Sequence, residues 1–211
     1  MILDVHTHHA NRSNAIINAH YSDFKADDGL FYSVGIHPWD VHKIDSTKDV
    51  ASVYTLAEQH SQIIAIGECG LDRFAEANDV DQYNVFYKLI TVSESVRKPL
   101  IIHCVKRYNM IAYLHRDRSP KQAWILHGFS ANSNVLSPLL SIPGIYFSIG
   151  EKFNPEAVKL IPAERLLIET DESTLPIEEI ANRVAVARGE TTESIILSAT
   201  QNTNRIFFPM V

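Results

Sequence analysis

The chain has 211 residues, 45% of them apolar and 21% charged, the balance of an ordinary folded protein with material for one sizeable core. Its formal charge of −6 excludes the broadly basic footprint of a protein that grips nucleic acid through many phosphates, so a polyanionic partner needs local help, which bound divalent cations supply. No apolar run approaches the roughly 18 residues of a membrane span, and Cys69 and Cys104 form no C-x-x-C pair, which excludes a disulfide framework and points to a reducing, cytoplasmic setting. With His6 so near the start, a cleavable signal peptide is not expected.

Along the chain, short apolar β-rich runs recur at residues 2–5, 31–36, 63–67, 100–102, 124–126, 145–149 and 166–168. Each ends in a polar or glycine-containing stretch. Residues 15–19, Ala-Ile-Ile-Asn-Ala, are a weaker eighth strand, standing where a second one belongs. The stretch 21–30 is too short and polar for a helix, so a loop alone is expected to join the second and third strands. From about Asp79 to Val96, Val85, Leu89, Val92 and Val96 form an apolar stripe at helical spacing, predicting a helix packed outside the strands. Pro155 after Asn154, and Pro176 before Glu178 and Glu179, mark two helix starts. Gly189 ends the second of these before a last helix from Thr192 to about Ile206. Strands alternating with helices predict parallel βαβ units and a compact α/β, TIM-type (β/α)8 barrel spanning 1–211 as a single domain, with at least one helix missing between the second and third strands.

The strand ends carry the chemistry. In Asp4-Val5-His6-Thr7-His8, residues two apart on a strand share a face, so His6 and His8 converge. Later runs close on Glu68, His103, His127 and Asp171, and His37 follows Gly35-Ile36. Such endings in one barrel ring face one cavity at the strands' C-terminal end. His6, His8, Glu68, His103, His127 and Asp171 are too many ligands for one tetrahedral ion. Two ions fit better, with a carboxylate such as Glu68 giving one oxygen to each and the pair about 3.5–4 Å apart. The mixed nitrogen and oxygen set suits zinc, manganese or another first-row ion, and magnesium less well.

Asp4-Val5-His6-Thr7-His8, Gly35-Ile36-His37-Pro38, Gly67-Glu68-Cys69-Gly70-Leu71-Asp72, Ile102-His103, His127-Gly128-Phe129-Ser130, Glu169-Thr170-Asp171 and Asn204-Arg205-Ile206-Phe207-Phe208 occur in this order. In this the chain resembles the TatD family of metal-dependent hydrolases, within the amidohydrolase-like barrels, over nearly its whole length. The resemblance implies one metal held by His6, His8, Glu68 and Asp171, and a second by Glu68, His103 and His127, with His37 in the substrate pocket. It also implies a divalent-metal deoxyribonuclease, commonly working from the 3′ end, with DNA ends as the partner and no obligate protein partner. Two departures stand out. The family's arginine two residues after the fifth strand's histidine is replaced by Val105, followed by Lys106 and Arg107. The loop after Asp171 runs almost directly into the Pro176 helix, which predicts a more open pocket.

On this reading Glu68 and Asp171 are catalytic, Asp171 orienting a water and taking its proton, and Arg73 and Lys106 are the cations placed to reach a phosphate. Cys69 and Cys104 are expected as small buried residues, since alternation turns them from the ligands beside them. His9, His20, His42, His60 and His115 are expected at the surface. Asp4 is expected to support the first histidine pair from behind, Asp72 a loop, and Trp39 to pack under one, with stacking on a base or sugar as its alternative. Two other functions fit the same residues: a metal-dependent ester or amide hydrolase, such as an aminoacyl-tRNA deacylase, and a non-catalytic metal-bound binding protein.

Overall fold

Strands buried on both faces, with apolar side chains throughout, pair in parallel when helices return the chain to the starting end. The computed structural model, which describes residues 2–10 and 12–209, follows that rule. Eight parallel strands close into a barrel in chain order: β1 (Asp4–Thr7), β2 (Ala15–His20), β3 (Phe31–Gly35), β4 (Ile63–Asp72), β5 (Leu100–Val105), β6 (Trp124–Leu126), β7 (Ile145–Ile149) and β8 (Leu166–Ile168). Asp4 pairs with Ile168, which joins the first strand to the last. The architecture is the TIM-type (β/α)8 barrel.

The return helices are α1 (Lys48–Gln59), α2 (Asp79–Val96), α3 (Tyr108–Arg118), α4 (Ser133–Leu140), α5 (Pro155–Val158), α6 (Ile177–Arg188) and α7 (Thr192–Phe207). Among the described residues no helix joins β1 to β2 or β2 to β3, and a 3-10 turn, Pro38–Lys43, precedes α1. Asn78 caps α2 by accepting from the N–H groups of Val80 and Asp81, and Val85, Leu89 and Val92 bury the predicted stripe. Pro176 stands at the N-cap of α6 rather than inside its first turn, and Gly189 ends the helix at φ 68°. No helix among the described residues is long and apolar enough to cross a membrane.

Several strands run past their apolar letters. β1 lies two residues later than residues 2–5, because the segment after β8 bonds to its far end: Asp171 N–H donates to the His6 carbonyl at 2.9 Å and His8 N–H to that of Asp171 at 3.1 Å. β4 and β5 stay paired through Gly70↔His103 and Asp72↔Val105, so Glu68 and His103 lie within strands rather than after them. That pairing requires glycine at position 70, where φ is 140° and a Cβ would collide with the His103 carbonyl oxygen.

Ile101, Ile125 and Leu167 belong to a buried apolar cluster inside the barrel, each two residues before His103, His127 or Glu169 and so on the same face beneath them. Phe207 joins the cluster beside Phe31, Ala123 and Tyr146 at the strands' N-terminal ends, and thereby closes the barrel floor. Each such side chain contributes about 1.5–3 kcal/mol through burial. Cys69 and Cys104 are free and buried, as expected. His115 corrects the surface expectation: it is buried on the inner face of α3, one helical turn after buried Ile111, with its ring edge-on to Trp124 at 4.9 Å. Burial, helped by Arg116, lowers its pKa and keeps it neutral. His9 and His60 are half-buried, and His20 and His42 are exposed.

Replacing Gly70 by alanine forces a methyl group into the β5 backbone, and a cost of about 2 kcal/mol or more is expected. Thermal melts should show the midpoint falling by roughly 4–8 °C; an unchanged midpoint would mean that the two strands are less tightly docked than described.

Candidate metal centre

The C-terminal ends of β1, β3, β4, β5, β6 and β8 bring His6, His8, His37, Glu68, His103, His127 and Asp171 around one point. Glu68 is at its centre, with a side chain only 5% exposed and its two oxygens facing different partners. Oε2 lies 3.4 Å from Nε2 of His6 and 3.4 Å from Nε2 of His8, which are in turn 3.7 and 3.5 Å from Asp171 Oδ1. Oε1 lies 2.8 Å from His103 Nδ1, 2.8 Å from His127 Nε2 and 3.2 Å from His37 Nε2. Asn18 holds the glutamate from β2, accepting from its backbone N–H at 3.0 Å and donating to Oε2 at 3.4 Å.

Outer partners fix which nitrogen of each ring faces inward. Asp72 Oδ2 accepts from His103 Nε2 at 3.0 Å, leaving Nδ1 facing Glu68 Oε1. Glu169 Oε1 lies 3.3 Å from His127 Nδ1 and accepts from Gly128 N–H at 2.6 Å, leaving His127 Nε2 inward. In His37 the order reverses. Nδ1 accepts from Trp39 N–H at 3.2 Å, so the proton of the neutral ring sits on Nε2 and points at Glu68. Its spacing from Glu68 and His103 matches a metal ligand's, but the hydrogen bond makes His37 a donor.

Two expectations about supporting residues change. Asp4 touches neither His6 nor His8 by hydrogen bond; it accepts from Thr170 N–H at 2.9 Å and Thr170 Oγ1 at 2.6 Å, pinning the turn that carries Asp171. Burial pushes its carboxyl up to about 6. Trp39 is not packed under a loop: it is 56% exposed, and its Nε1–H donates to Asp72 Oδ2 at 2.7 Å. Asp72 thus serves His103 as well as its loop, where Phe74 N–H donates to Oδ1 at 2.8 Å. Sequence reasoning passed over Asn18 and Glu169, although a polar residue inside the run Ala15–His20 was a usable signal for Asn18.

Burial opposes charge on Glu68, but His127, His103 and His37 outweigh it and hold its pKa well below the ordinary carboxylate value. Burial likewise opposes charge on His127, and Glu68 and Glu169 reverse the balance, raising it well above the ordinary imidazole value. Asp171 is raised by burial and by Glu169, with His6 and His127 opposing.

The donor set suits divalent ions. His6 is fully buried, and neither of its ring nitrogens has a hydrogen-bond partner among the described residues, a costly state that a cation beside Nε2 relieves. The centre lies between two cavities, about 510 and 970 Å³, that share His103, His127 and Asp171 as walls. His37 and Trp39 line the smaller and Lys106 the larger, its ammonium 5.1 Å above the Phe74 ring. Arg73 is exposed past β4 and lines neither cavity, so of the two expected phosphate cations only Lys106 faces the site. Only residues 172–176 separate Asp171 from α6, and the Asp171 side chain is 38% exposed, in line with an open pocket.

A family model described as TatD related DNase matches residues 3–208. The chain belongs to that family. It is 28% identical over 202 residues to the uncharacterized metal-dependent hydrolase YabD of Bacillus subtilis, covering 85% of this chain and 78% of the relative. It is 27% identical over 226 residues to a protein named 3′-5′ ssDNA/RNA exonuclease TatD of Pantoea vagans, covering 92% and 85%. Among solved structures, YJJV, a TatD homolog from Escherichia coli K12, superposes with a TM-score of 0.84 at 17% identity, over 98% of this chain and 97% of that one, a likeness of fold. The TatD-family chain is a metal-dependent hydrolase.

The charge balance predicts a pH signature for chelator-treated protein. His127, raised in the fold, adds stability that is full below about 6.5 and is lost as pH rises through its folded value. Glu68, lowered in the fold, adds stability present above about 4.5 and lost as pH falls through its folded value. Melting midpoints should therefore be highest between these limits and decline on the alkaline side, with the decline shallower in Glu68→Gln. A midpoint that climbs steadily into alkaline buffer would contradict the His127 assignment.

Proposed function

We propose that this TatD-family hydrolase is a two-metal phosphodiesterase that removes nucleotides from nucleic acid ends, DNA foremost, in the 3′ to 5′ direction. The observation that carries the reading is the division of Glu68: one oxygen faces His6 and His8, the other His103 and His127. His6, His8, Glu68 and Asp171 would hold one divalent ion, and Glu68, His103 and His127 the other, with zinc and manganese better suited than magnesium. Bound there, such ions supply Lewis acidity toward a phosphoryl oxygen and lower the pKa of water toward about 7.

The protein's own groups do the rest. Asp171, half-exposed at the mouth and with a raised pKa, orients the attacking water and takes its proton on a carboxylate oxygen. His37, its Nε2–H directed at Glu68, forms part of the substrate wall in the smaller cavity. Lys106 approaches the phosphate from the larger cavity, where Arg107 is already held in a bidentate pair by Asp79. Cavities on both sides of the centre give room for the departing nucleotide and for the remaining strand. The name of the Pantoea vagans relative supports the 3′-5′ polarity and a single-stranded substrate. Two free, buried cysteines accord with action in the cytoplasm.

Incubation with 5′-labelled single-stranded DNA should give products shortened from the 3′ end, with shortening abolished by chelator and restored by added zinc or manganese. Glu68→Gln should lose bound metal and at least about 100-fold in turnover together, since both half-sites share that carboxylate. Metal retained with no cleavage of DNA, but with release from an ester or amide panel, would move the assignment to the other bond class. A Glu68→Gln protein that keeps both ions and full activity would remove the bridging role.

A further inference from the structure

We infer that Trp39 is a positioning residue for the His103 half of the centre, acting through Asp72; this rests on the two-ion reading above. A tryptophan 56% exposed on a short 3-10 turn usually has little to fix it, and this one is held at three points. Its indole N–H donates to Asp72 Oδ2 at 2.7 Å, its ring stands edge-on to His37 with centroids 5.6 Å apart, and its backbone N–H donates to His37 Nδ1 at 3.2 Å. The two imidazoles that it supports are themselves in edge contact, His37 and His103 centroids lying 4.5 Å apart.

Asp72 is 2% exposed, and its backbone is clamped by Gln82, which accepts from its N–H at 2.7 Å and donates to its carbonyl at 3.0 Å. What remains to be fixed is rotation of the carboxylate about its own bond. Phe74 N–H anchors Oδ1, and Trp39 shares Oδ2 with His103 Nε2, so the indole sets the plane in which Asp72 meets the imidazole. A carboxylate behind a metal-binding histidine fixes the ring's tautomer and orientation and raises its basicity. Without the indole, Oδ1 keeps Phe74 N–H but Oδ2 keeps only His103, the ring that the carboxylate is to orient, so Oδ2 has no independent anchor. Trp39 also lines the smaller cavity, so a ligand that presses on the indole bears on Asp72 and hence on His103.

Trp39→Phe separates these contacts: it keeps an aromatic ring against His37 and the backbone N–H, and removes only the indole donor. Zinc alone is titrated into chelator-treated wild type, Trp39→Phe, Asp72→Asn and the double variant, in competition with a chromogenic chelator. The expected result is two zinc ions in the wild type, with one bound about tenfold more weakly in Trp39→Phe and the other unchanged. The unchanged ion reports that the variant is folded. The double variant should bind zinc no more weakly than Asp72→Asn alone, because the indole acts through that carboxylate. Two ions at wild-type affinity in Trp39→Phe, or losses that add in the double variant, would overturn the inference. A wild type that binds fewer than two zinc ions would instead overturn the two-ion reading, and the inference with it.

Discussion

Almost completely buried, the Glu68 carboxylate would be driven to its neutral form by loss of water alone; the imidazoles around it keep it ionised. That constraint reaches through the whole barrel. His37, His103 and His127 come from the ends of β3, β5 and β6, so the charge is compensated only if these strands keep their places in the closed sheet. The backbone is fitted as closely: at Gly35 a Cβ would lie 2.7 Å from the Glu68 carbonyl oxygen, so β3 approaches β4 without a side chain between them. Asn18, on β2, also holds the glutamate by accepting from its backbone N–H.

The barrel and its ring of polar strand ends were legible because a buried parallel strand is an unbroken apolar run, and a His, Glu or Asp that closes it is conspicuous. His-x-His on β1 needed only strand alternation. The supporting groups depend on information that sequence spacing does not hold. Asp72 meets His103 because β4 and β5 remain paired three residues beyond Cys69↔Ile102, further than the apolar letters suggest. Lys106 and Arg73 both follow ligands closely, yet only Lys106 faces the centre, its backbone in the left-handed region at φ 55°. His115 lies outside the strand-end pattern, which suggests the surface, whereas its position one helical turn from Ile111 turns it inward. Asn18 was the recoverable omission, a polar letter within an apolar strand.

The acidic balance of the chain acquires a local meaning at the centre. Glu68, Asp72, Glu169 and Asp171 stand among or behind the histidines, and with Arg107 committed to Asp79, Lys106 carries the positive charge of the larger cavity. A phosphodiester could not approach such a surface unaided. The same carboxylates that repel it would concentrate divalent cations, so the negative charge and the expected anionic substrate are compatible only through the ions.

The pairing of the first strand with the last governs how the molecule matures on the ribosome. Until residues 166–168 have been made, β1 has one edge with no strand to bond, and Phe207, which seals the floor, is added later still. Vectorial synthesis therefore leaves an incomplete sheet with unpaired backbone donors and acceptors until the last strand is made. The metal rim can be completed only once Asp171 has been made, since that residue meets His6 and His8 at the closing seam.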